Sequence, residues 1–124
     1  KATANQDWIA FNGWKPHWMN VKYDIKYLKD PEGIWGSNDI VYTVGRPELK
    51  EKAPNFYKFL ENFKVTSDIQ SAWILEYQKK ERDPKKVAEE WVNNNQKRVK
   101  AWVEGMKTGD GEDAQKVLTN KLSK

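Results

Sequence analysis

Apolar residues along this chain recur mostly at helical spacing, with two short exceptions that predict β-strands. Trp8-Ile9-Ala10-Phe11 and Ile40-Val41-Tyr42-Thr43-Val44 are continuous apolar runs, aromatic and β-branched, followed by turn-forming residues. They predict strands over about residues 7–11 and 40–44, the first of them buried. Because two strands make a poor sheet alone, we expect each to pair with segments outside this chain or with another copy of it.

Between and after these strands the pattern is helical. Residues 16–28 carry apolar positions spaced by three and four, which suits a helix or isolated helical turns. After residue 50 the spacing predicts at least four helices, with starts indicated by Pro54, by a capping box from Ser67 to Gln70 and by Asp83-Pro84. Gly105 is a natural terminator, and a last helix should begin near Gly111. Three tryptophans lie on these apolar faces, and we assign them to packing: Trp73, Trp91 and Trp102.

Composition narrows the class of protein. The 124 residues suffice for one core, and they carry 22 basic and 18 acidic residues, a net charge of +4. Basic and acidic residues are mixed along the chain, which is typical of solvated helix faces and not of a basic stripe for nucleic acid. The absence of cysteine excludes disulfides and thiolate chemistry. Lys1 opens the chain without a charged-then-apolar leader, so we expect any signal peptide or lipid-attachment cysteine to be absent or removed.

The segment Gly13-Trp14-Lys15-Pro16-His17-Trp18-Met19 concentrates the candidate chemistry. It holds two indoles and the only histidine, directly after the first predicted strand. Trp14 therefore follows the carboxyl end of a strand, where open α/β sheets usually bind ligands. Its indole face would suit a quaternary ammonium group, which cannot donate hydrogen bonds. Both indoles also fit the interpretation of core aromatics with a polar edge, and His17 fits a hydrogen-bonding core or hinge residue.

The order of residues from Gly13 to Gly36, GWKPHWMNVKYDIKYLKDPEGIWG, resembles the signature of the glycine betaine and choline substrate-binding proteins of ABC importers. The resemblance continues through Val41–Val44 and Ala53-Pro54-Asn55, then from Asp83 to Trp91 and from Ala101 to Gly105. It implies an α/β fold, here a helix-rich C-terminal portion with few strands of a two-lobed type II periplasmic-binding-protein fold. Family members are about twice as long, so we expect this chain to be an excerpt. Otherwise a second chain must complete it.

The resemblance also implies a site and partners. Residues 1–30 would form the last strand of the ligand-binding lobe and the crossover, and residues 31–124 the helix-rich C-terminal lobe portion. Trp14 and His17 are the expected substrate-binding residues, the first in an aromatic cage and the second as a donor to a ligand carboxylate. The expected partners are a quaternary ammonium osmolyte, a membrane permease, and the missing N-terminal half or a second copy. The location would be periplasmic or otherwise extracytoplasmic, with or without a membrane tether, in a transporter serving osmoprotection.

An enzyme is not expected. The single His17 lacks a nucleophile context, no phosphate-binding loop is present, and Asp110, Glu112 and Asp113 lack the spacing of a calcium loop. We therefore assign no catalytic residue, metal or cofactor. Two alternatives remain, a carbohydrate-binding module and a single-strand nucleic-acid binder stacking bases on Trp14, Trp18 and Trp35. Steep salt dependence would mark the latter, whereas capture of a zwitterion should respond little.

Overall fold

The computed structural model describes residue 5, residues 7–36 and residues 40–122, and these are dominated by helices. The helices are α1 Met19–Lys22, α2 Leu49–Lys52, α3 Pro54–Asn62, α4 Ser67–Ile74, α5 Pro84–Asn94, α6 Gln96–Trp102 and α7 Ala114–Leu122. A π-helical turn, Leu75–Lys79, continues α4. The prediction of at least four helices after residue 50 is confirmed.

Neither predicted strand forms in this chain by itself. Residues 7–14 and 40–46 have no regular secondary structure, and within the described residues the only β-pairing is an isolated bridge between Lys107 and Asp113. The expected burial of the first strand is also wrong here, since Trp8 is fully exposed and Ile9 is 68% exposed. A strand requires a neighbour to take up its backbone hydrogen bonds, and the described part of the chain offers neither segment such a neighbour.

The helical pattern over residues 16–28 yields only the four residues of α1. Tyr23 adopts an extended backbone conformation that ends this helix, and residues 24–30 have no regular structure. An isolated helix of this length gains too few hydrogen bonds to persist without packing. It persists here because it packs against α4 and the π turn.

The predicted helix starts are largely confirmed. Pro54 occupies the first turn of α3, and the Asp83 side chain accepts a hydrogen bond from the Lys86 backbone N–H at the start of α5. The proposed capping box at Ser67 is wrong by one residue. Thr66 is extended and its hydroxyl accepts from the Ile69 N–H at 3.3 Å, so Thr66 caps α4 and Ser67 is already helical.

The buried apolar side chains of the described residues are Val87, Val99 and Trp102. A row of aromatic rings that includes Trp102 joins four helices. Trp73 of α4 meets Trp91 of α5 edge to face at 5.1 Å, and Trp91 stacks on Trp102 of α6 at 5.3 Å. Phe63, which caps the end of α3, lies 4.5 Å from Trp102. Trp102 is 7% exposed, as predicted, whereas Trp91 is half-buried. The assignment of these tryptophans to packing is confirmed.

The chain exposes far more surface than a compact monomer of its mass. Its accessible area is 10882 Å², against about 6900 Å² for a folded monomer of 14.6 kDa. Much of the excess comes from large apolar side chains outside the helical core. The most exposed of them are Trp8, Ile9, Leu28, Ile34, Trp35, Ile40, Val41, Tyr42 and Val44. These residues would be covered in a compact fold, so the packed part of the chain is the helical part.

Candidate functional site

The candidate site is the segment from Trp14 to Asn20, called here the Trp14–Asn20 loop, which follows the first apolar run and includes the first two residues of α1. Trp14 lies at the surface with 57% of its area exposed. Its ring meets the imidazole of His17 edge to face, with 5.1 Å between centroids and an interplanar angle of 64°. No lysine of the described residues lies over the Trp14 ring. The loop therefore presents an open indole face beside an imidazole.

Trp18 has a different environment, because protein cations already occupy its ring. The Lys79 Nζ lies 5.0 Å and the Lys22 Nζ 6.0 Å from the centroid of this half-buried ring. Tyr23 and His17 contact its other sides at 6.2 and 5.1 Å. A ligand cation would have to displace an ammonium group to reach Trp18. Of the two indoles in the motif, Trp14 is the one placed to receive an external cation.

The His17 ring is held in a defined hydrogen-bonding state. Its Nδ1 accepts a hydrogen bond from the Met19 backbone N–H at 3.3 Å. A nitrogen that accepts carries no proton, so the neutral imidazole has its proton on Nε2. In the part of the chain described, Nε2 has no hydrogen-bond partner. His17 can therefore donate to an external acceptor such as a carboxylate.

A buried serine attaches the loop to the helical core. The backbone N–H of His17 donates to the Ser71 hydroxyl at 3.1 Å, and that hydroxyl donates to the Ser67 carbonyl at 2.8 Å. Ser71 is 1% exposed and belongs to α4. Because this hydrogen bond is partly shielded from water, losing it would leave a poorly solvated N–H without a partner. The position of His17 is thus fixed relative to α4.

Asn20 connects the two candidate ligand-binding residues, Trp14 and His17, to each other. Its Nδ2 donates to the Trp14 carbonyl at 2.9 Å and to the His17 carbonyl at 3.1 Å. Its Oδ1 accepts from the Tyr27 hydroxyl at 2.7 Å. Sequence reasoning missed Asn20 and Ser71, since hydrophobic spacing carries no information on side chains that bind backbone groups elsewhere. The backbone polar groups of a short loop need hydrogen-bond partners. That need is the one signal in the sequence that would have pointed to Asn20.

Trp35 is not brought to this loop by any described contact. It is 81% exposed, and its backbone N–H, with that of Ile34, donates to the Asp30 carboxylate at 2.8 and 3.1 Å. These two hydrogen bonds stabilise the turn after Asp30. They do not bring the Trp35 indole to the Trp14–Asn20 loop. The site residues that the structure does bring together are Trp14 and His17.

The π turn that carries Lys79 is secured by an ion cluster. Glu76 accepts from Lys80 at 2.6 Å and from Arg82 at 2.8 Å, and Arg82 also donates to Glu90 of α5 at 2.6 Å. The hydrogen bond from Lys80, followed by that from Arg82, lowers the pKa of Glu76. The cluster therefore joins the end of α4 to α5 and keeps Lys79 near Trp18.

The described residues contain no group of three or more histidine and carboxylate side chains placed to hold a metal ion. Among them, every helix is too short or too polar to cross a membrane.

Comparison with known proteins defines the class. Residues 1–94 match the family model of the substrate binding domain of ABC-type glycine betaine transport systems. Because this match covers well over half of the chain, the chain belongs to that family. The resemblance predicted from the GWKPHWM segment is thereby confirmed. At the family level this places the chain among transport binding proteins and not among enzymes.

Two relatives refine the picture. The chain is 36% identical over 113 residues to a glycine betaine/carnitine transport binding protein of Listeria monocytogenes, a match that covers 91% of this chain and 37% of the relative. A solved ABC-transporter choline-binding protein in complex with choline superimposes with a TM-score of 0.66 and 26% identity. That superposition covers 98% of this chain and 43% of the other. The fold is thus a helix-rich portion of a periplasmic-binding-protein fold, as predicted.

Proposed function

We propose that this chain is part of the extracytoplasmic substrate-binding component of an ABC importer for glycine betaine, choline, carnitine or a related quaternary ammonium osmolyte. The observation that carries the proposal is the pairing of an open indole, Trp14, with the free Nε2 donor of His17 in the family's motif. The component would deliver its ligand to a membrane permease and serve osmoprotection. Tethering to the membrane, if present, would come from outside the described residues.

The two residues suit the two ends of such a ligand. A trimethylammonium group has no hydrogen-bond donor, so it is best held by the faces of aromatic rings. Trp14 would supply one wall of this aromatic cage. The carboxylate of glycine betaine or carnitine is an acceptor, and His17 would donate to it through Nε2. Separate contacts for the two ends would orient a zwitterion in the site.

Magnitudes indicate that Trp14 and His17 cannot bind the ligand tightly by themselves. A desolvated cation–π contact contributes about 2 kcal/mol, whereas micromolar affinity needs about 8 kcal/mol. Further rings, hydrogen bonds and closure of two lobes would supply the rest. The 124-residue chain alone should therefore bind glycine betaine weakly or undetectably.

The remainder of the site would come from a portion of the protein that this chain does not contain. The chain spans only 37% and 43% of the lengths of the relatives it matches, and it exposes an unusually large apolar surface. We infer that residues 7–11 and 40–44 become strands when they pair with strands of that portion. Analytical ultracentrifugation distinguishes this arrangement from pairing between two copies of the chain, because only the latter gives a dimer of the chain alone.

Isothermal titration of a protein extended to the length of its relatives tests the proposal. Trp14→Ala should weaken binding of glycine betaine by about 2 kcal/mol, roughly thirtyfold. Trp35→Ala is the matched control, since it removes an indole that the described contacts leave outside the loop. Unchanged affinity in Trp14→Ala would remove Trp14 from the site and refute the proposal. Repeating the titration at low and physiological salt separates it from nucleic-acid binding, which should weaken steeply.

A further inference from the structure

The Asn20 side chain contacts both candidate ligand-binding residues, and its hydrogen-bond donors are not available to a ligand. Both hydrogens of its Nδ2 are used, one on the Trp14 carbonyl and one on the His17 carbonyl. Its Oδ1 accepts from the Tyr27 hydroxyl. A primary amide has two donors and one acceptor oxygen, so its donors are fully committed. Because glycine betaine has no hydrogen-bond donor for the Asn20 oxygen, we expect Asn20 to influence its binding through Trp14 and His17.

The backbone of Trp14 depends on this contact. Among the described residues, the amide of Asn20 makes the only hydrogen bond to the main chain of Trp14. His17, by contrast, is also held by Ser71 through its N–H. Residues 7–14 have no regular structure that could fix Trp14 from the other side. Besides the covalent link through Lys15 and Pro16, the Asn20 amide is thus the group that ties the Trp14 main chain to that of His17.

We propose that Asn20 is a positioning residue of the ligand site: it fixes Trp14 relative to His17, so that one ring meets the cationic end of the ligand while the other donates to its anionic end. This inference rests on the proposed function. A site held in its bound geometry before the ligand arrives avoids the cost of ordering it on binding. Losing Asn20 should therefore lower affinity although no ligand contact is removed.

The chain offers a matched control in Asn62. Its Nδ2 also donates to two backbone carbonyls, those of Trp102 at 3.3 Å and Glu104 at 2.9 Å, at the end of α6. Asn62→Ala thus removes the same kind of paired hydrogen bond as Asn20→Ala, but away from the loop. A general loss of stability should affect both variants, whereas a loss of positioning should affect only Asn20→Ala.

The first measurement is isothermal titration with glycine betaine and with choline, on the protein extended to the length of its relatives. Asn20→Ala should bind glycine betaine about tenfold more weakly, and Asn62→Ala within about twofold of the parent. Affinity within twofold of the parent in Asn20→Ala, or an equal loss in both variants, would overturn the inference.

The second measurement needs no ligand. NMR of histidine-labelled protein, with the His17 signals identified from a His17→Gln spectrum, reports on the ring lying 5.1 Å from both Trp14 and Trp18. The His17 ring signals should shift in Asn20→Ala and stay in place in Asn62→Ala. Unmoved signals in Asn20→Ala would refute the positioning role even if affinity fell.

Failure of the proposed function would look different. In that case Trp14→Ala would bind with parental affinity, and the inference would fall with it. If Trp14→Ala weakens binding and Asn20→Ala does not, the proposed function stands and only the role of Asn20 is wrong.

Discussion

Replacing Trp102 by alanine tests the helical core most directly. This indole is 7% exposed, stacks on Trp91 at 5.3 Å with 15° between the ring planes, and lies 4.5 Å from Phe63. A tryptophan buries roughly 200 Å², which at about 25 cal/mol per Å² corresponds to about 5 kcal/mol. Alanine keeps a small part of that contact, and measured tryptophan deletions in cores cost about 3–5 kcal/mol. We expect Trp102→Ala to lower the free energy of unfolding by about 4 kcal/mol.

Urea unfolding followed by circular dichroism at 222 nm measures this loss. For a domain of this size 1 kcal/mol corresponds to about 4 °C, so Tm should fall by about 16 °C. Trp35→Ala is the control, because it deletes the same side chain at a position that is 81% exposed. Its effect in the 124-residue chain should stay within about 0.5 kcal/mol. An unchanged Tm in Trp102→Ala would mean that the aromatic row does not hold the helices together.

Four further variants, one of them a control, test smaller features. Asp83→Ala removes the N-cap of α5 and should cost about 1 kcal/mol in urea unfolding. Gly105→Ala places a Cβ at φ 72° and should cost about 1 kcal/mol, whereas Gly109→Ala, with open space around its Cβ, should be nearly neutral. Hydrogen bonds from Lys80 and a neighbouring arginine lower the pKa of Glu76 below its usual 4.5. The stability from Glu76 is therefore present above pH 4.5 and lost as the pH falls through the lowered pKa. Glu76→Gln should thus be less stable than the parent at pH 7 and equal to it in acid.

The helices could be predicted from the sequence because their determinants are local. Asp83 and Pro84 lie next to each other at the start of α5, and the apolar positions of one face recur within the helix itself. Even the error at Ser67 is a local one, since Thr66 is an equally good capping residue one position earlier. The packing of the three tryptophans followed from the same faces, because aromatic side chains on an apolar stripe are covered when helices pack. Their contact with one another in a row was not predicted.

The strands and the details of the loop could not be predicted in the same way. Whether residues 7–11 form a strand depends on a partner segment, and no local pattern supplies one. The roles of Ser71 and Asn20 depend on which backbone groups the fold brings near them. Ser71 is separated from His17 by 54 residues. The sequence motif indicated the candidate residues of the site, and the structure shows which contacts hold them in place.

These contacts suggest how the site would be divided within the complete protein. The Trp14–Asn20 loop is fastened to α4 through Ser71 and internally through Asn20, so its geometry is specified within this chain. The apolar run that precedes it has no partner in the described residues and needs one to become a strand. Pairing with the rest of the sheet would therefore order the apolar run that precedes Trp14. It would not change the geometry of the Trp14–Asn20 loop. The free-energy cost of ordering this run would then arise during folding. It would therefore lower the affinity for the ligand only slightly.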